Sequence, residues 1–323
     1  NKIMKFYKTA MGLVIAGFAA ASCLITSAAQ ADWKPKGPIT ILIGFAAGGG
    51  TDTQARLIAA DLEKTKGWKI IPQNMPGKAG GIMARKLKKM PADGLSIGMA
   101  VTESFGYNMV ASKKAGYSEK DITFIVTTTG SQMGIVAKTS RGWKTLKDVI
   151  AAAKKGKVFK VAGMSQKHAD INYLIEQKYG VKFNSVTLRG GKKVMNALTA
   201  GDVDLGYGAG IQARAVKAGQ MVNLASGLAK RLKISPNAPT LMEMGIPFAI
   251  GAKFIFVGPA GMPSNVRKTL ADAIGGIIKN PNTKPSKFVT ARYSGPDVMS
   301  GKKLDDWMKA DRDASRKLMK VMK

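Results

Sequence analysis

Thiols and imidazoles are almost missing from this chain of 323 residues, which has one cysteine, Cys23, and one histidine, His168. A zinc centre draws three or four ligands from such side chains, so Cys and His cannot build one here. With a single thiol there is no intrachain disulfide either, and the fold has to be held by its core. Acidic residues are scarce: 20 Asp and Glu stand against 51 Lys and Arg, a net charge of +31. Aromatic residues make up only 7%. The basic residues fall in short clusters along the chain, Arg85 to Lys89, Lys154 to Lys160 and Arg316 to Lys323 among them. No aromatic stacking platform or nucleic-acid motif is interleaved with them, so they read as solvated helix faces and no nucleic-acid partner is expected. Their summed field would raise the encounter rate with anionic solutes. No segment beyond residue 31 is long and apolar enough to span a bilayer, and no fixed-period repeat is present.

What is present begins with Lys2, Lys5 and Lys8, followed by an uncharged stretch from Thr9 to Ala29 that ends in Ala29-Gln30-Ala31. This is the layout of a secretory signal peptide over residues 1–31, which places the mature protein in the periplasm. An uncleaved anchor and lipid attachment at Cys23 are the alternatives. The remainder has ordinary globular composition, 45% apolar and 22% charged, and is long enough for two α/β lobes.

Strand and helix signals alternate through it. Pro38 to Phe45 is a β-branched run stopping at Gly48-Gly49-Gly50. A helix follows, N-capped by Thr51 or Asp52, with Ala55, Ile58, Ala59 and Leu62 at helical spacing. Trp68 to Pro72 and Leu95 to Val101 read as strands, and Gly80 to Met90 as a helix. A second series runs from Ile122: strands at 122–128 and 134–138, then a helix whose Thr145 and Asp148 form a capping box. It continues with strands at 159–163, 183–188, 203–207 and 221–226, and helices at 168–179 and 192–200. A strand at 253–257 and helices at 264–278 and 304–322 close the chain. The expectation is an α/β fold of two lobes, residues 32–140 with 254–323 and residues 141–253.

Two loops carry the candidate chemistry. Phe45 and Ala46 lead into Gly48, Gly49, Gly50, Thr51 and Asp52. Glycines let a ligand approach the backbone, with Gly49 expected at positive φ, and the helix start offers free N–H groups and the positive end of a dipole to an anion. An ordinary tight turn is the competing reading. Gly163, Met164, Ser165 and Gln166 before His168 repeat the strand, loop, helix order, with Ser165 also suited to a plain N-cap. A phosphate loop lacks its Lys-Ser or Lys-Thr, the G-x-G-x-x-G spacing fails, and no G-x-S-x-G elbow accompanies His168.

Lys36-Gly37-Pro38-Ile39-Thr40, Gly48-Gly49-Gly50-Thr51-Asp52 and Ala55-Arg56 resemble the opening of the Bug family, substrate-binding proteins of tripartite tricarboxylate transporters. In order there follow Asn74-Met75-Pro76-Gly77 with Ala79-Gly80-Gly81, Pro91-Ala92-Asp93-Gly94, Ser165 with His168, Arg189-Gly190-Gly191, Gly201-Asp202-Val203-Asp204 and Gly258-Pro259-Ala260-Gly261-Met262-Pro263. The resemblance implies two lobes of the periplasmic-binding-protein type hinged around a cleft. It also implies a carboxylate held by backbone groups and waters from the first glycine loop and the loop before His168. The sequence departs from the family pattern at Ala46 and Ala47, where prolines are usual, at Lys253 in place of Trp, and at Gly208 in place of an acid.

The reading is therefore a periplasmic receptor for a di- or tricarboxylate or related organic acid, without cofactor or metal, acting as a monomer with integral membrane transporter subunits. Thr102, Glu103 and Ser104, together with Lys253, are placed at the distal end of the ligand, Lys253 for a second carboxylate and Glu103 for an amino group, and Gly208 is a further ligand-binding candidate. An exported hydrolase or transferase using Glu103, Asp52 and His168, or a basic interaction module, are the competing readings. Intact-mass measurement of exported protein should find Asp32 as the first residue; a chain that begins at a lipid-bearing Cys23 would overturn this.

Overall fold

The structure, a computed structural model, describes residues 33–322. The chain divides into a segment of residues 1–33 and a body of residues 34–323. The signal peptide, its cleavage site and Cys23 lie outside the described residues.

The body opens with β1 (Ile39–Ile43), in which every residue but Thr40 is buried, as expected of a strand with neighbours on both edges and helices on both faces. In chain order there follow α1 (Gly50–Lys66), β2 (Ile70–Asn74), α2 (Gly81–Leu87), β3 (Ser96–Val101), the short α3 (Thr102–Phe105) and α4 (Tyr107–Ala111), and β4 (Ile122–Gly130). The second series is β5 (Gly134–Lys138), α5 (Leu146–Ala153), β6 (Phe159–Gly163), α6 (Gln166–Tyr179), β7 (Phe183–Thr187), α7 (Gly191–Ala200), β8 (Leu205–Gly208), α8 (Ala213–Lys217) and β9 (Met221–Ser226). The chain ends with β10 (Lys253–Pro259), α9 (Ser264–Lys279), α10 (Lys284–Arg292) and α11 (Gly301–Val321).

These strands make two five-stranded mixed sheets, ordered β2-β1-β3-β10-β4 and β7-β6-β8-β5-β9. Three parallel strands begin each sheet, and an antiparallel strand then joins them to the edge. The chain passes from the first sheet to the second through residues 131–133 and returns through residues 227–252. β5 pairs with β8 and β9, so the first crossing precedes residue 134 rather than falling near residue 140. β10 pairs from Lys253 onward with the first sheet, so Lys253 belongs there and not to the second lobe. The two crossings lie side by side: the Ser131 N–H donates to the Ala252 carbonyl (2.7 Å), and the Ala252 N–H to Ser131 Oγ (3.0 Å).

Each sheet has its own apolar core. Leu42, Met83, Ala100, Phe105, Ile255 and Leu304 pack in the first, and Ile135, Val149, Phe159, Val161, Ile171 and Leu224 in the second. The capping box at Thr145 and Asp148 is formed as the sequence suggests, Asp148 accepting the Thr145 N–H at 2.8 Å. α11 bridges the two cores. Its Leu304 and Met308 are buried in the first, while Leu318 is 2% exposed within the second. Truncating a fully buried Leu to Ala costs about 2–5 kcal/mol. Leu318→Ala should therefore lower the urea midpoint of the whole body, although the residue lies near the chain's end.

Candidate functional site

α1 begins without a side-chain cap, because Gly49 stands at its N-cap position with extended backbone (φ −81°, ψ 176°). The expected Thr51 or Asp52 cap is thus displaced, since the helix already starts at Gly50. The left-handed residue of the loop is Gly48 (φ 73°) and not Gly49. Asp52, in the first turn, points back under the loop. Its carboxylate accepts the Gly48 N–H at 2.8 Å, Arg56 Nε at 2.8 Å and Asn74 Nδ2 at 2.8 Å. Burial alone would raise the Asp52 pKa, but these donors outweigh it and hold the carboxyl below its ordinary value.

The opposite wall comes from the second sheet. Ser165 occupies the N-cap position of α6 in extended conformation (φ −155°, ψ 167°) without making a capping bond, and Gly190 precedes α7 likewise without one. His168 is 2% exposed, and its ring stacks on Tyr207 with centroids 4.3 Å apart. Its Nδ1 accepts the Met164 N–H at 3.0 Å. Burial, the largest influence, lowers its pKa, and the charge of Glu103 opposes that to a lesser degree. The neutral ring then carries its proton on Nε2, a buried atom with no partner.

The helix starts of α1, α6 and α7 all contribute to one chamber of about 70 Å³, through Gly49 and Gly50, Ser165, and Gly190 and Gly191. His168 and Glu103 also line it. An outer part of about 460 Å³ shares Phe45, Ala79, Asn108, Met164 and Arg189 with it. The first four N–H groups of a helix have no intrahelical acceptor. Three helix starts without side-chain caps therefore present donors and the positive ends of their dipoles to the same space, an arrangement suited to an anion. Tyr293 stands beside α1, where a Cβ on Gly50 would overlap its hydroxyl. Burial raises the phenol pKa well above its usual range, so the hydroxyl keeps its proton.

Of the residues singled out in the sequence, Phe45, Ala46, Gly49, Gly50, Thr51 and Glu103 meet Met164, Ser165 and His168 around the chamber. Gln166 joins the outer part. Gly48 is placed at the rim, where a Cβ would come within 2.5 Å of Lys192 Nζ from the opposite wall. The remaining five support the walls from behind. Asp52 is saturated by the three donors above. Thr102 Oγ1 accepts the Lys253 N–H at 3.1 Å. A Cβ on Gly163 would press on His168 Cβ at 2.7 Å, and one on Gly208 on Gln212 Oε1 at 2.5 Å. Lys253 is turned away, its ammonium paired with Asp297 and 5.5 Å from the Trp307 ring centroid. It therefore does not stand ready for a second carboxylate. Nor do Glu103, Asp52 and His168 form an acid–base set, because Asp52 is held under the glycine loop. Ser165 Oγ lies 3.5 Å from a His168 Nδ1 already engaged by the Met164 amide.

Arg189 and Lys192 were not among the expected site residues, and neither was Tyr293. Arg189-Gly190-Gly191 follows a strand and opens a helix, the same signal that marked the other two loops. Arg189 and Lys192 line the cleft, and neither makes an ion pair among the described residues.

The model of the tripartite tricarboxylate transporter family receptor matches residues 54–322. The chain belongs to this family. A UPF0065 protein from the gbd 5′ region of Cupriavidus necator is 29% identical over 280 residues, covering 84% of this chain and 85% of that protein. BugT of Bordetella pertussis is 24% identical over 266 residues, covering 77% and 78%. Among solved structures, the periplasmic binding protein BugD has the same fold (TM-score 0.78, 22% identity, 89% of this chain and 98% of that one). So do Rpa4515 of R. palustris with adipate (TM-score 0.79, 23%, 90% and 98%) and the malate-bound MatC of Rhodopseudomonas palustris (0.76, 21%, 88% and 99%). The family is one of transporter receptors, and the two-lobed α/β expectation stands. Among the described residues no helix is long and apolar enough to cross a membrane.

Asp52 fixes the glycine loop through charge, which makes its loss measurable. A carboxyl with depressed folded pKa adds stability above its unfolded pKa of about 3.9, and that stability disappears as pH falls through the folded value. Asp52→Asn should cost about 1–3 kcal/mol at pH 7. In chemical denaturation as a function of pH, the gap to the unaltered protein should close below about pH 4.

Proposed function

We propose that this protein is a periplasmic receptor that captures a small carboxylate and delivers it to the membrane subunits of a tripartite tricarboxylate-type transporter, without chemical change to the ligand. The observation that carries this reading is the convergence of three uncapped helix starts on one chamber that His168, with its partnerless Nε2–H, also lines. A carboxylate accepts several N–H bonds at once and gains from each dipole, whereas a neutral group would leave those donors unmatched. The role the sequence suggested for Lys253 passes to Arg189 and Lys192, whose unpaired charges at the cleft suit a second anionic group. Fold neighbours with adipate and malate support a dicarboxylate-sized occupant.

Receptor function also fits the chemistry of the chamber. His168 has its pKa lowered by burial and its Nδ1 occupied, which leaves a donor on Nε2 and no free basic nitrogen on the ring. The positive field of the chain brings anions to the cleft, while the fixed donors select among them.

The test uses protein freed of carried-over ligand by unfolding and refolding. In a thermal-shift screen of mono-, di- and tricarboxylates and acidic amino acids, a true ligand at one hundred times its Kd adds about 2.7 kcal/mol of stability. His168→Phe keeps the stack on Tyr207 but removes the donor. It should weaken that ligand at least tenfold in calorimetry while the circular dichroism spectrum is unchanged. Failure of every carboxylate to shift the melting temperature would end the reading.

A further inference from the structure

The basic cluster from Lys154 to Lys160, which in sequence reads as a solvated helix face, does not lie on a helix. α5 ends at Ala153 with Lys154 as its C-cap, and Lys155, Gly156, Lys157 and Val158 lead into β6, whose second residue is Lys160. All four lysines are exposed, and none makes an ion pair among the described residues. Val158, in their midst, is 57% exposed. The dipole at the end of α5 accounts for Lys154 and Lys155. It does not account for Lys157, Lys160 or the bare valine between them.

The same end of the second sheet is basic throughout. β5 finishes there at Lys138, in register with Met221 at the start of β9, and exposed Lys182 leads into Phe183, in register with Phe159. The loops at this end, residues 139–145, 154–158, 180–182, 200–204 and 218–220, contain no acids except Asp202 and Asp204. Asp204 is taken by Arg141 and by the Lys160 N–H. On the adjoining helices, Asp148 closes its capping box and Glu176 accepts the Phe183 N–H. β6 and β7 run from this pole to the chamber, five residues each, and neither part of the cleft includes any of these lysines.

We propose that this pole docks the protein on an anionic phospholipid surface, with the lysines among the headgroups and Val158 entering the interface. A lipid surface asks for many charges of one sign without fixed geometry, which flexible lysine stems supply, whereas a fixed phosphate is better met by arginine forks. Arg141 is spent on Asp204 and lies over Trp143. A nucleic-acid strand would call for open aromatic faces, but Trp143 and Phe159 pack edge to face on each other. An aliphatic side chain among lysines suits the boundary between headgroups and acyl chains. The docking is independent of what the cleft binds.

The test is co-sedimentation with vesicles of phosphatidylcholine alone or mixed with equal parts of phosphatidylglycerol. Because the whole chain is basic, matched variants isolate the pole. Lys154→Gln, Lys155→Gln and Lys157→Gln together should weaken binding to the mixed vesicles at least tenfold, since each lysine near such a surface contributes about fivefold. Lys64→Gln, Lys66→Gln and Lys69→Gln remove the same charge from exposed positions at the end of α1 and before β2, and should change it twofold at most. Val158→Ser leaves the charge intact and should weaken binding threefold or more. Inorganic phosphate at matched ionic strength should not compete. Melting temperatures, with and without a cleft ligand, should be unchanged, so that docking and ligand capture are read separately. The proposal is overturned by equal losses in the two triple variants, by equal binding to phosphatidylcholine alone, by displacement with phosphate, or by double-stranded DNA binding as tightly with the same variant dependence.

Discussion

Unpaired backbone donors at the starts of α1, α6 and α7 are the constraint around which the rest of the body is arranged. A helix start is normally closed by Ser, Thr, Asp or Asn, which contributes about 1 kcal/mol. Here Gly49 and Gly190 have no side chain to offer, and Ser165 leaves its cap unmade. The two sheets explain why these ends meet. In a parallel strand–helix unit the helix begins at the strand's carboxyl end, so β1 leads into α1, β6 into α6 and β7 into α7, all opening toward the same crevice. On the reading proposed above, the stability withheld at three helix starts becomes binding free energy when an anion arrives.

Excess positive charge makes each internal acid consequential. Asp52 gathers Gly48, Arg56 and Asn74 and so fixes the loop that shapes one wall. Asp297 engages Lys253 and keeps that lysine out of the cleft. Asp305 holds Arg267, which also donates to the Phe124 carbonyl at 2.7 Å and ties α9 to β4. Glu103 differs from these three in making no ion pair among the described residues. It is buried among the residues lining the chamber, with Arg189 and Lys192 on the same lining.

Sequence periodicity located most of the elements because their burial follows it. β6 and β9 fall where the apolar runs place them, and the glycine loops mark both strand ends. The short helices α3, α4 and α8 were illegible, since four or five residues give too few turns for a 3.6-residue period to register. α10 was missed for another reason: its exposed lysines mask the burial of Pro285, Ser286 and Val289. In the site, loop backbones were legible from glycine and helix-start signals. Side-chain direction was not. Lys253 and Asp52 look like ligand groups in sequence, and only pairing with Asp297 and with Arg56 decides otherwise. Tyr293 is distant in sequence from both loops and enters the cleft only because α10 ends against the crossing, where its ring packs 4.9 Å from that of Phe254.

The contacts joining the two sheets are unequal on the two sides of the chamber. At the crossings, Ser131 and Ala252 exchange hydrogen bonds, Gln132 donates to the Ala209 carbonyl, Tyr107 bonds to Asp170, and α11 places Leu318 in the second core. At the rim, the approaches are of side chains to bare backbone: Lys192 to Gly48, and Phe45 to Gly190. Such a lysine has no acceptor there to hold it, so little enthalpy opposes its withdrawal. A ligand that touches α1 on one wall and α6 and α7 on the other supplies what the rim lacks.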